Sequence, residues 1–170
     1  TTTGAKTAQL SLVNGDSDEN PYIINLTGTG TRSAESVVKV DASFVGSTAI
    51  NYLSYLGMNV THGNSYEVGR FIVYDGDGIT ADADNLATIL NSITFNVSGS
   101  SALSKIALYD GTTELAEIEG NTPASFSSLD VTIPDGSSKI LSIRALFNTT
   151  SITDKQLVRF SLFPPTANAL

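Results

Sequence analysis

Apolar residues recur at every second position in short runs, and each run is closed by Gly, Pro, Asn or Asp. Ala8, Leu10 and Leu12 alternate with polar neighbours before the loop Asn14-Gly15-Asp16-Ser17-Asp18-Glu19-Asn20-Pro21. Tyr22, Ile24 and Leu26 alternate again and lead into Thr27-Gly28-Thr29-Gly30-Thr31. Successive strand side chains point to opposite faces, so this rhythm reads as β-structure. The two runs read as a hairpin with an apolar face of Leu10, Leu12, Ile24 and Leu26.

The rhythm continues along the chain. Val38, Val40, Ala42 and Phe44 read as one strand, and Ile93, Phe95 and Val97 as another. Ile106 and Leu108 are expected to pair with Leu115 and Ala116–Ile118 across the tight Asp110-Gly111 turn. Val131 and Ile133, then Leu141 to Phe147, and finally Leu157 to Leu162 supply further strands. Gly69 interrupts the apolar run Val68–Tyr74, which suggests a bulge that resets the alternation. The stretch Ala83–Leu90 is the one place where two turns of helix are expected, with Asp82 or Asp84 as N-cap.

Composition removes several alternatives. The 170 residues suit one domain, or one domain plus a fragment of a neighbour, and bury enough surface for a core without staples. Nine Lys+Arg against 17 Asp+Glu give a net charge of −8, without the basic patch that nucleic acid requires. No run is long and apolar enough to span a bilayer. Residues from Thr1 lack a charged and then apolar leader pattern, so any export signal is expected upstream. Cysteine is absent, which excludes disulfides, thiolate zinc sites and cysteine nucleophiles. His62 is the single histidine, so His-pair metal sites and most proton relays lack material.

About nine or ten short strands with regular turns point to an all-β fold, an antiparallel Ig-like β-sandwich with an extra N-terminal β-hairpin. The parallel βαβ alternative needs recurring helices, and only one short candidate exists.

Two resemblances sharpen this. Asp16-Ser17-Asp18-Glu19-Asn20-Pro21-Tyr22 followed by Leu26-Thr27-Gly28-Thr29-Gly30-Thr31 resembles the closing hairpin of "choice-of-anchor" Ig-like modules in large secreted bacterial proteins. From about Arg32 onward the chain resembles tandem β-sandwich modules of Bacteroidetes-type surface adhesins. The matching stretches are Arg70-Phe71, Tyr74-Asp75-Gly76, Ala81-Asp82-Ala83-Asp84, Ile93-Thr94-Phe95-Asn96-Val97 and Ala107-Leu108-Tyr109-Asp110-Gly111. The resemblance implies residues 1–31 as a closing hairpin of a preceding or neighbouring module, and residues 32–170 as a sandwich module. It implies a secreted or cell-surface location, and it carries no fixed catalytic set.

Candidate chemistry is sparse. Asp75, Asp77, Asp82 and Asp84 crowd carboxylates and glycine carbonyls into one loop, the oxygen-rich makeup that calcium takes. An EF-hand fails, because Thr80 stands where Gly is needed and Leu86 where the bidentate Glu belongs. The plainer reading is a solvated loop whose Asp side chains cap turns. Glu114 and Glu117 sit on a hairpin where Glu ordinarily faces solvent, and no Gly-x-Ser-x-Gly elbow occurs. Asn25, Asn59, Asn96 and Asn148 begin glycosylation sequons, which arise readily in a Ser/Thr-rich chain.

Three function classes follow. A non-catalytic structural or adhesive repeat of a surface fibre accounts for the charge, the strands and the partial module at the start. Its partners would be neighbouring copies, joined through Leu10, Leu12, Ile24 and Leu26. A carbohydrate-binding sandwich for a surface glycan fits the fold, but the chain has no Trp for sugar stacking. An enzyme has the least support.

Overall fold

The computed structural model describes residues 4–18, 20–30, 36–47, 49–79 and 85–163. Twelve strands lie in those residues: β1 (Gly4–Leu12), β2 (Tyr22–Gly30), β3 (Ser36–Val40), β4 (Tyr66–Asp75), β5 (Thr88–Leu90) and β6 (Ile93–Ser98) come first. Then follow β7 (Leu103–Asp110), β8 (Thr113–Glu119), β9 (Ala124–Phe126), β10 (Val131–Ile133), β11 (Ser138–Phe147) and β12 (Arg159–Leu162). Among the described residues the only helical pieces are single 3-10 turns at Tyr52–Ser54 and Ser100–Ala102.

A five-stranded antiparallel sheet, in order β3-β4-β11-β7-β8, forms one layer. The smaller sheets β12-β6-β9 and β10-β5 form the other. Alternation builds the core between them, with Phe71 and Val73, Leu141 and Ile143, and Ile106 and Leu108 buried from the large sheet. Phe95, Val97, Phe126 and Ile133 meet them from the other side. Phe95 joins the layers, its ring 5.4 Å from that of Phe71 and 6.4 Å from those of Phe126 and Phe160. Offset and edge-on aromatic contacts of this kind stabilise beyond area burial alone.

The all-β sandwich with an additional N-terminal hairpin is the fold that the sequence predicts. The Asp110-Gly111 turn pairs Ile106 with Ile118 and Leu108 with Ala116, with Leu115 as the extra residue of a bulge. The β4 bulge falls at Val68, beside Gly69, since Ile143 pairs with Gly69 and Arg144 with Glu67.

Two expectations need correction. Thr88–Leu90, expected at the end of a helix, is strand β5 and pairs with β10, Leu90 opposite Val131 and Thr88 opposite Ile133. Pairing with β10 within the same sheet outweighs a helical pattern too short to nucleate alone. Residues 80–84, and with them Asp82, Ala83 and Asp84, lie outside the described residues. The strand expected over Val38–Phe44 stops at Val40, because Asp41 turns the chain. Its Oδ1 accepts the Ser43 amide at 2.9 Å and the Ser43 hydroxyl at 2.6 Å, a local bond that competes with the ladder.

Candidate functional site

The β1–β2 register puts Ala8 opposite Leu26, Leu10 opposite Ile24 and Leu12 opposite Tyr22. Residues directly opposite in an antiparallel pair share a face. One face of the hairpin is therefore Ala8, Leu10, Leu12, Tyr22, Ile24 and Leu26. The other carries Thr7, Gln9, Ser11, Asn25 and Thr27 together with one apolar residue, Ile23, and Gln9 Nε2 donates to Asn25 Oδ1 at 2.8 Å. Among the described residues β1 and β2 pair only with each other. Leu10 and Leu12 are each 46% exposed and Leu26 is 51% exposed. All four residues that the sequence singles out for assembly thus lie together on an uncovered face.

The sandwich has an uncovered feature of its own. Because β3 ends at Val40, its ladder covers only Phe71–Asp75 of β4 and closes with the Asp41 amide donating to the Arg70 carbonyl. Tyr66–Gly69 have β11 on one side and, among the described residues, no strand on the other. In the opposite layer β12 pairs with β6 alone. A cleft opens along this side in two parts that share Val68 and Val158: the larger, 610 Å³, lies between Ala49–Tyr52, Tyr66–Val68 and Ile152–Val158, and the smaller, 270 Å³, between β4 and β12. The floor of the smaller part is core: Phe71, Phe95 and Ile143.

Gly99 sets the far wall of the larger part. Its φ is +77°, and a Cβ there would overlap the Leu157 carbonyl oxygen. Only glycine allows the 152–158 segment to approach so closely. Gln156 anchors that segment, donating to Ser101 Oγ at 3.2 Å and accepting the Thr153 amide at 3.1 Å.

Of the proposed calcium ligands, Asp75 is buried and engaged. Its Oδ1 accepts the Thr88 hydroxyl at 2.6 Å and its Oδ2 the Gly136 amide at 2.8 Å. Asp75 therefore ties the end of β4 to β5 and to the turn before β11. Asp77 Oδ1 accepts the Ile79 amide at 2.7 Å, the turn-capping geometry of an Asx residue. Among the described residues no group of three or more His, Asp or Glu side chains is placed to hold a metal ion.

The outer face of the five-stranded sheet carries a polar clasp. Val60 packs there on Ala107, Tyr109 and Leu146. Glu117 is not simply solvent-facing, as the hairpin pattern predicts: Oε2 accepts the Val60 amide at 2.5 Å and Oε1 the Lys105 ammonium at 2.6 Å. Burial works against its ionisation, but Lys105 and the Val60 amide outweigh it and hold Glu117 below the usual carboxylate range. The Tyr109 hydroxyl lies 3.2 Å from the Val60 carbonyl and 3.0 Å from Glu114 Oε2. Burial, followed by the bond to Glu114, pushes that phenol up to about 12. Arg144 donates to the His62 carbonyl at 2.9 Å and the Ser65 carbonyl at 2.5 Å. His62 contributes a backbone oxygen to this clasp and sets its ring edge-on to Tyr109 at 6.1 Å. Each charged group is matched to a partner that pins the loop over the sheet, which is a structural role.

The cleft is the feature that sequence reasoning misses. Its signal is Asp41-Ala42-Ser43, an Asx-turn pattern inside an apparent strand. Comparison of the chain with protein-family models, curated proteins and solved structures returns no match.

Proposed function

We propose that this chain is a non-catalytic structural or adhesive module of an extracellular bacterial surface fibre, in which the N-terminal hairpin joins copies. The observation that carries this reading is the hairpin face of Ala8, Leu10, Leu12, Tyr22, Ile24 and Leu26, which no other strand covers among the described residues. A two-stranded ribbon is marginal in water, and its edges invite pairing with another chain. The acidic, cysteine-free surface suits a soluble module that keeps neighbours apart except at a specific contact.

A surface-glycan module is the second reading, since Tyr52, Tyr66, Asn51 and Gln156 line the larger part of the cleft. It is the weaker one, because Tyr66 is already engaged edge-on by Tyr55 at 5.1 Å and offers no free stacking platform. Sedimentation velocity across a concentration series tests the assembly reading. The chain is expected to associate reversibly, and Leu10→Glu with Leu26→Glu to abolish this, both residues being too exposed for the change to unfold the sandwich. A chain that stays monomeric at millimolar concentration overturns it.

A further inference from the structure

We propose that the hairpin of one copy adds to the open edge of β4 at Tyr66–Gly69 of the next copy, its apolar face laid over the cleft between β4 and β12. This rests on the assembly reading and names the acceptor for it.

Both halves of the contact lie in the same chain and lack the same thing. The acceptor is a sandwich left open along one side. Its β4 backbone has no strand beyond Arg70 on that side among the described residues, and its apolar cleft descends to Phe71 and Phe95. Edge addition satisfies such a backbone, while pockets for alternate side chains give specificity. The donor is a ribbon whose two strands, among the described residues, pair only with each other, with apolar residues at every second position.

A second observation marks the place. Asp41 sits where the β3 ladder stops and is 5% exposed, yet its Oδ2 has no hydrogen-bond partner. Buried acceptors are ordinarily satisfied, and this one lies where the β3 ladder ends, beside the Arg70 carbonyl that the Asp41 amide engages.

Charge points to a second copy as the occupant. Lys155 and Arg159 line the cleft and make no ion pair among the described residues, against one carboxylate there, Asp154, that is likewise unpaired; Glu67 is taken up by Arg70 and Arg144. The hairpin loop presents Asp16 and Asp18. In a chain of net charge −8, two unpaired cations beside the cleft match the acidic tip of the hairpin. Donor and acceptor are different surfaces, so the contact is head-to-tail and generates an open thread rather than a closed dimer.

The test uses two full-length variants. The first, Leu10→Glu with Leu26→Glu, has a disabled hairpin and an intact cleft. The second, Leu157→Glu with Arg159→Glu, alters two exposed cleft residues and leaves the hairpin intact. Each alone is expected to weaken association by roughly 30-fold or more, as central interface residues do. Mixed together, they should form a heterodimer that grows no further, because one good hairpin meets one good cleft. Amide exchange on the unaltered chain supplies a readout independent of the variants. Tyr66–Gly69 should gain about ten-fold protection as concentration rises.

If the cleft variant assembles like the unaltered chain while the hairpin variant does not, the acceptor is wrong and the assembly reading survives. If the hairpin variant still assembles, both are wrong. A monomer whose Tyr66–Gly69 amides are protected at every concentration means that the hairpin docks on its own sandwich, which overturns the second copy as occupant. Glycan binding by a monomer, lost in the cleft variant, overturns it as well.

Discussion

Leu10 lies directly opposite Ile24 in the β1–β2 ladder, and both belong to a face that no other described strand covers. An apolar cross-strand pair stabilises a sheet by up to about 1 kcal/mol, which is too little to hold a lone ribbon against its ordering entropy. The pair is therefore better explained by a covering partner than by the hairpin's own needs.

Removing residues 1–31 is expected to leave the sandwich folded. The core runs through β4, β6, β7, β9, β10 and β11, and none of its buried residues lies in the hairpin. The truncated chain should keep its near-ultraviolet circular dichroism and melt within about 4 °C of the full chain, the shift that roughly 1 kcal/mol produces. Loss of cooperative melting would place the hairpin inside the sandwich instead.

Asp75→Ala should destabilise the fold by about 1–3 kcal/mol, because it strands the Thr88 hydroxyl and the Gly136 amide. Denaturant unfolding measures this, and Thr88→Val should cost less, since the Gly136 bond remains. The same melts examine calcium as a stabilising ion of the Asp75–Asp84 loop. A calcium-dependent rise in Tm that Asp77→Ala removes supports it, and superimposable melts with chelator retire it.

Glu117 should contribute to the acid limb of stability. Its folded pKa lies below the ordinary value of 4.5, so its contribution is complete above that pH. It is lost as pH falls through the depressed folded value. Glu117→Gln is expected to flatten the stability–pH curve below about pH 4.5, measured by urea midpoints at successive pH values. An unchanged slope would mean that Lys105 and Val60 do not favour the ionised carboxylate.

Tyr109 should mark the alkaline limb. Its folded pKa is raised from 10.0 to about 12, so the folded state holds its proton longer than the unfolded one. The stability it supplies is intact below pH 10 and is lost as pH rises from 10 towards 12. Ultraviolet titration of the phenolates should show one tyrosine ionising late, and Tyr109→Phe should remove that step. A uniform titration near pH 10 would contradict the buried, Glu114-bonded phenol.

Much of this architecture is legible in one dimension. Period-two alternation places Leu108 and Phe95 inward, and Asp110-Gly111 dictates a tight hairpin, because both signals are local consequences of backbone stereochemistry. The hairpin face of Leu10, Leu12, Ile24 and Leu26 is equally legible, since register in a two-stranded ribbon follows from its loop and its pattern. Thr88–Leu90 is not, because three residues take strand form only when Val131 and Ile133 lie beside them. Glu117 is misread for the same reason: its partner Val60 lies 57 residues away, on a loop folded over the sheet.

The sequence by itself therefore determined the fold class, most of the strands and the apolar face of the hairpin, all of which rest on contacts between near neighbours. The tertiary structure alone decided that β4 and β12 leave a cleft between them, and that Asp41, its amide held by the Arg70 carbonyl, is buried with an unmet acceptor among the described residues. Those features depend on which strands fail to meet. Each is a relation between segments more than 25 residues apart, and such relations are fixed only when the layers pack.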